Sequence, residues 1–69
     1  MKIDIKKIDR LRDVNAMTAR ELASTAGLSV PEIYGLRQRG SCSPKTVRKL
    51  AAALNASIVD ILPDMEEES

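Results

Sequence analysis

The stretch Thr18-Ala19-Arg20-Glu21-Leu22-Ala23-Ser24-Thr25-Ala26-Gly27-Leu28-Ser29-Val30-Pro31-Glu32-Ile33 holds two helix starts with one glycine stop between them. At each start a hydroxyl residue stands three positions before a glutamate, Thr18 before Glu21 and Ser29 before Glu32. In such a capping box the hydroxyl accepts the N–H of the third helical residue, and the carboxylate reaches back to the N–H of the cap. Two donors that a helix start leaves orphaned are thereby satisfied. Gly27 ends the first of the two helices, because it enters the left-handed region without a Cβ penalty. Only Gly27, Leu28 and Ser29 remain as the connection, so the two helices must cross steeply, with Leu28 turned inward to pin the turn.

Working outward, apolar residues recur at helical spacing on both sides of this unit. Ile5, Ile8 and Leu11 mark a helix before it; Leu22, Ala23 and Ala26, then Ile33 and Leu36, mark the central pair; Val47, Leu50, Ala51 and Leu54 mark a fourth. Ile58, Ile61, Leu62 and Met65 repeat the pattern and predict a fifth. Ser43 is a cap followed by Pro44 at the first helical position, where its missing N–H costs nothing. In Ser57-Ile-Val-Asp60 an acid lies near the positive end of the fifth helix. Gly40 and Asn55 are further stops. Five helices are therefore expected near 4–15, 19–26, 30–39, 44–54 and 58–65, and no segment alternates with period two for long enough to form a strand.

The 69 residues, 43% of them hydrophobic, suffice for one small domain and no second core. The expected division is a domain over 1–63 and an acidic, disordered tail over 64–69. There is no His, one Cys, no phosphate-cradling glycine loop and no enclosed carboxylate pair, so the chain is read as non-enzymatic, with no metal and no cofactor. Cys42, the single cysteine, permits no disulfide within the chain and is read as an ordinary loop thiol in a reducing compartment. No apolar run approaches the roughly 20 residues of a membrane span. Met1 to Arg12 interleaves Ile with Lys and Asp, unlike a signal peptide, and the chain reads as soluble and cytoplasmic.

A net charge of +1 argues at first against nucleic acid as a partner. The sum conceals a gradient, for Asp64, Glu66, Glu67 and Glu68 place four negative charges in the last six residues and leave a net of +5 before them. Between Ile33 and Val59 stand Arg37, Arg39, Lys45, Arg48 and Lys49 without one carboxylate. Such a block is either a solvated face or a phosphate-binding field, and its place beside the central helix pair favours phosphate.

The run from Met17 to Leu62 resembles the helix-turn-helix domain of the lambda repressor and Cro class, the XRE family. The resemblance is carried by Thr18, Glu21-Leu22-Ala23, Ala26-Gly27-Leu28-Ser29, Ile33, Gly40, Pro44, Lys49-Leu50-Ala51-Ala52-Ala53-Leu54 and Ile61-Leu62. It implies an all-α, compact five-helix, lambda-repressor-like DNA-binding domain whose second and third helices form the reading unit. The third helix would lie in the major groove, and the second across the backbone with its N-terminal amides toward a phosphate. Carried over by position, Val30, Pro31, Tyr34 and Gly35 would face bases, and Thr18, Ala19 and Ser29 would lie by phosphates, joined by Arg37, Arg39, Ser41 and Lys45. The implied function is a sequence-specific transcriptional regulator, a repressor binding double-stranded DNA at a palindromic operator as a homodimer, with Val59, Leu62 and Met65 as the dimer contact.

The chain departs from that pattern in four places. Ala19 stands where many members have Gln, and Val30, Pro31 and Gly35 stand where polar readers are common, which removes bidentate amide contacts to bases. The residue one turn after Ile33 is often a Glu paired with an Arg on the first helix. Here it is Arg37, and with Arg12 on the first helix both are expected to turn to phosphates. One extra residue also lies between Ile33 and Pro44. Tyr34 either covers apolar surface or contacts the groove, and Val30 either touches a thymine methyl or staples the helix start. The apolar reading helix keeps a second class of function in view: an antitoxin or accessory module on the same fold, with a protein partner and weak or no DNA readout.

Overall fold

A computed structural model of the chain describes residues 1–64. Four α-helices, α1 (Ile5–Val14), α2 (Ala19–Ala26), α3 (Val30–Arg39) and α4 (Pro44–Ala53), precede a terminal 3-10 turn over Ile58–Ile61. The bounds of α2 and α3 are those the caps predict, and α1 and α4 lack only the residues that serve as their caps. Asp4 caps α1 by accepting the N–H groups of Lys6 and Lys7, and Ser43 caps α4 by accepting that of Thr46. Gly27 and Gly40 take φ of 72° and 69° at the ends of α2 and α3, the conformation their lack of a Cβ makes easy. Asn55 does the same at φ 60° after α4. Ala16 adopts φ 54° after α1 without a glycine's freedom, at a cost of about 1 kcal/mol.

The predicted fifth helix over 58–65 is corrected to a single 3-10 turn, so the described residues contain four helices and not five. Its apolar spacing is helical, but Pro63 decides the outcome. A proline disfavours the helical region for the residue before it, and Leu62 is extended, with φ −91° and ψ 153°. At the start of the turn the Asp60 carboxylate accepts from both the N–H and the hydroxyl of Ser57, so that hydroxyl donates and does not accept a first-turn N–H. Met65 and the rest of the acidic tail lie outside the described residues. Asp64 lies within them, its carboxylate 2.5 Å from Lys7 Nζ.

The core is built around α4, whose Val47 and Leu50 are fully buried between α2 and the terminal turn. Leu22, Ala23 and Ala26 of α2, Ile33 and Leu36 of α3, Ile8 of α1 and Ile61 of the turn complete it, with Leu28 packed against it from the connection. Each fully buried Leu or Ile contributes roughly 1.5–3 kcal/mol, which a chain without a disulfide depends on. Ile3 joins the same core from a segment expected to precede any structure. The residues before α1 run antiparallel to the loop after α3, with Ile3 N–H donating to Gly40 O, Cys42 N–H donating to Met1 O and a bridge between Lys2 and Ser41. The extra residue before Pro44 therefore lies in a loop tied down by the start of the chain.

Candidate nucleic-acid interface

The two capping boxes close as their spacing predicts. Thr18 Oγ1 accepts from Glu21 N–H at 3.1 Å while Glu21 Oε1 accepts from Thr18 N–H at 2.9 Å; Ser29 and Glu32 repeat this at 3.2 and 2.9 Å. Both hydroxyls are engaged in their caps, so each helix start turns outward mainly its remaining first-turn N–H groups. Ser29 holds the Glu32 carboxyl below the usual glutamate range, chiefly through its backbone N–H and then its hydroxyl, with the charge of Lys49 adding to it. Thr18 and Ser29 are exposed, and Ala19 is half-buried.

On the outward side of α3, Pro31 and Tyr34 are exposed, and Tyr34 keeps 57% of its surface in solvent. Gly35 is half-buried. Val30 is also half-buried and packs against the core. Ala19 lines a cleft among α1, α2 and α3, whose other walls include Leu22, Ile33, Tyr34, Arg12 and Arg37. A second groove runs between α3 and the start of α4, lined by Pro31, Gly35, Arg39, Ser43 and Thr46 among others.

The five basic residues separate into two kinds. Arg39, Lys45, Arg48 and Lys49 are exposed. Arg37 is not, for its two terminal nitrogens grip the Asp9 carboxylate of α1, Nη1 on Oδ1 and Nη2 on Oδ2 at 3.2 Å. Arg12 lies on the same acid, its Nη2 3.8 Å from Oδ1, and its Nη1 donates to Met17 O. The premise that Arg37 and Arg12 lack a partner is therefore corrected: α1 and α3 keep an ion pair, with the acid on α1 and the base on α3. The hydrogen bond to Asp9 raises the Arg37 pKa further above its ordinary value. Sequence reasoning missed Asp9, although its place three residues before Arg12, on the same helical face, was the available signal.

Ser41 is half-buried in the bridge to Lys2, and Lys45 sits in the first turn of α4. Burial pushes the Cys42 thiol up from its ordinary value, against the smaller pull of the Met1 ammonium and Arg39, which lowers its thiolate character. At the far end of the chain Val59 is 70% exposed, while Leu62 packs against the core and its carbonyl accepts from Lys7 Nζ at 2.8 Å. No helix among the described residues is long and apolar enough to cross a membrane.

Comparison with known proteins agrees with this architecture. The family model described as the Cro/C1-type HTH DNA-binding domain matches residues 7–67, from within α1 to beyond the terminal turn. No curated protein and no solved structure matches the chain. The match covers both helices of the α2–α3 unit and the α4 core that supports them, and the chain belongs to the family of Cro/C1-type helix-turn-helix DNA-binding domains.

Proposed function

We propose that this chain is a sequence-specific transcriptional regulator, a repressor that occupies a palindromic operator in double-stranded DNA as a homodimer. The observation that carries the reading is the outward face of α3, where Pro31, Tyr34 and Arg39 stand exposed beside basic residues that no acid interrupts until Asp60. In this reading Val30, Pro31, Tyr34 and Gly35 face the floor of the major groove, and the first-turn amides at Thr18, Ala19 and Ser29 meet phosphates. Lys45 and Ser41 hold the backbone on the α4 side. Arg37 acts at one remove, fixing the tilt of α3 through Asp9.

Affinity then comes mainly from phosphate contacts and selection from a small number of base contacts. Exposed Val59 is the apolar centre of the homodimer, with Leu62 beside it, and two-fold symmetry places the reading helices about 34 Å apart. The domain comprises residues 1–63, followed by the acidic tail, and acts without enzymatic chemistry. Selection of bound sequences from a random duplex pool tests this, the expected result being an inverted repeat with half-sites one helical turn apart.

The exposed, apolar Pro31 beside a bare Gly35 favours a second reading, an antitoxin-like or accessory module whose α3 docks on a protein. Its signature is a pool from which no sequence is enriched.

A further inference from the structure

Arg39 closes α3, yet its side chain turns back along the helix and does not extend off the end. A Cβ built on Gly35, one turn earlier, would lie 3.2 Å from Arg39 Nη1 and 3.9 Å from its Cζ. Side chains of a helix lean toward its N-terminus, so residues four apart lie above one another on one face. Pro31, Gly35 and Arg39 form such a row, and the row lines the groove between α3 and α4. Neither Pro31 nor Gly35 carries a polar side-chain atom, which leaves the guanidinium as the only side-chain hydrogen-bond donor in that row. Among the described residues no carboxylate pairs with Arg39; the ion pairs are those of Lys7, Arg12 and Arg37.

We infer that Arg39 is a base reader of this domain, donating two N–H bonds to O6 and N7 of a guanine in the major groove, and that Gly35 is the bare lane through which it reaches them. The inference rests on the DNA-binding reading above and answers the absence of polar side chains at Val30, Pro31 and Gly35. A phosphate contact from the end of α3 would gain nothing from a missing side chain at Gly35. A guanidinium laid along the base-facing side needs that space, and its planar fork matches the two acceptors that guanine presents there.

The test uses the full chain and the duplex it selects from a random pool. Replacing the G·C pair of one half-site by A·T weakens the unaltered protein by roughly 5- to 150-fold. Arg39→Ala brings that ratio close to one. Gly35→Ala lowers the ratio by itself, and adding Arg39→Ala to it changes little further. Gly35→Ala also raises thermal stability, since alanine is the better helix former, so its loss of discrimination is not loss of fold. If Arg39→Ala weakens every duplex by the same factor, the residue is a phosphate contact and the inference is overturned. If the two substitutions act additively, the lane is overturned. A chain that selects no sequence overturns the DNA-reading proposal itself, and this inference with it.

Discussion

Arg37 on α3 and Asp9 on α1 form a two-pronged ion pair across 28 residues of sequence, with about a third of each side chain still in solvent. Because both ends of the guanidinium fork are used, the pair fixes direction as well as distance. It constrains the tilt of α3 against the rest of the domain, and in the proposed reading that tilt decides which residues meet the groove floor.

Breaking this pair is expected to be modest in stability and visible in recognition. Asp9→Ala should cost about 1 kcal/mol, the upper range for a partly exposed pair, by chemical denaturation. Asp9→Arg and Arg37→Glu should each cost more, since like charges then face one another, and the double variant should recover most of the loss. Additive losses would show that the contact does not hold the two helices.

Acid should loosen the domain at its helix caps. Glu32 and Asp60 both titrate below their ordinary values, chiefly because the backbone N–H of Ser29 and of Ser57, respectively, hydrogen-bonds to the carboxylate. A depressed folded-state pKa means that the stabilisation is complete above the unfolded value and is lost as pH falls through the folded one. Thermal melts should therefore decline from about pH 4.5 downward. Glu32→Gln, neutral at every pH, should flatten that decline by lowering the melt at neutral pH toward its acid value.

The terminal 3-10 turn is expected to be essential although it is short. Ile61 is fully buried and Val59, two residues before it, is exposed. Ile61→Ala should cost about 2 to 5 kcal/mol through the cavity it leaves, while Val59→Asp should leave the melt nearly unchanged and shift the chain from dimer to monomer in sedimentation. A dimer that survives Val59→Asp would move the subunit contact elsewhere.

The difference between these two neighbours also marks how far the sequence could be read. Caps are local chemistry, so Thr18 with Glu21, Ser29 with Glu32, Gly27 and Gly40 located α2 and α3 to the residue. The fifth helix expected from apolar spacing does not form, because that spacing takes no account of Pro63, which disfavours the helical conformation at Leu62. At the interface, the exposed placement of Tyr34 follows from its one-residue step past Ile33. Asp9 is legible as a neighbour of Arg12, but its meeting with Arg37 is not, since that depends on how α1 and α3 pack. The bridge of Lys2 to Ser41 is of the same kind, two residues whose meeting depends on the whole fold.

Tyr34 and Lys45 should fail in different ways when replaced. Tyr34→Ala removes an exposed ring from the outward face of α3 and should relax sequence preference with little change in stability. Lys45→Ala should weaken binding to all duplexes alike and lower the salt slope by about one. Competition binding against selected and scrambled duplexes distinguishes the two patterns, and an exchange of effects would reverse the assignments.

The central claim, that α3 and its basic flank read DNA, is tested most directly by fluorescence anisotropy of a selected and a random duplex across a series of salt concentrations. The account predicts that log affinity for both falls linearly with log salt, with the selected duplex bound more tightly throughout. Affinity that is absent, or that is indifferent to salt and to sequence, would contradict it.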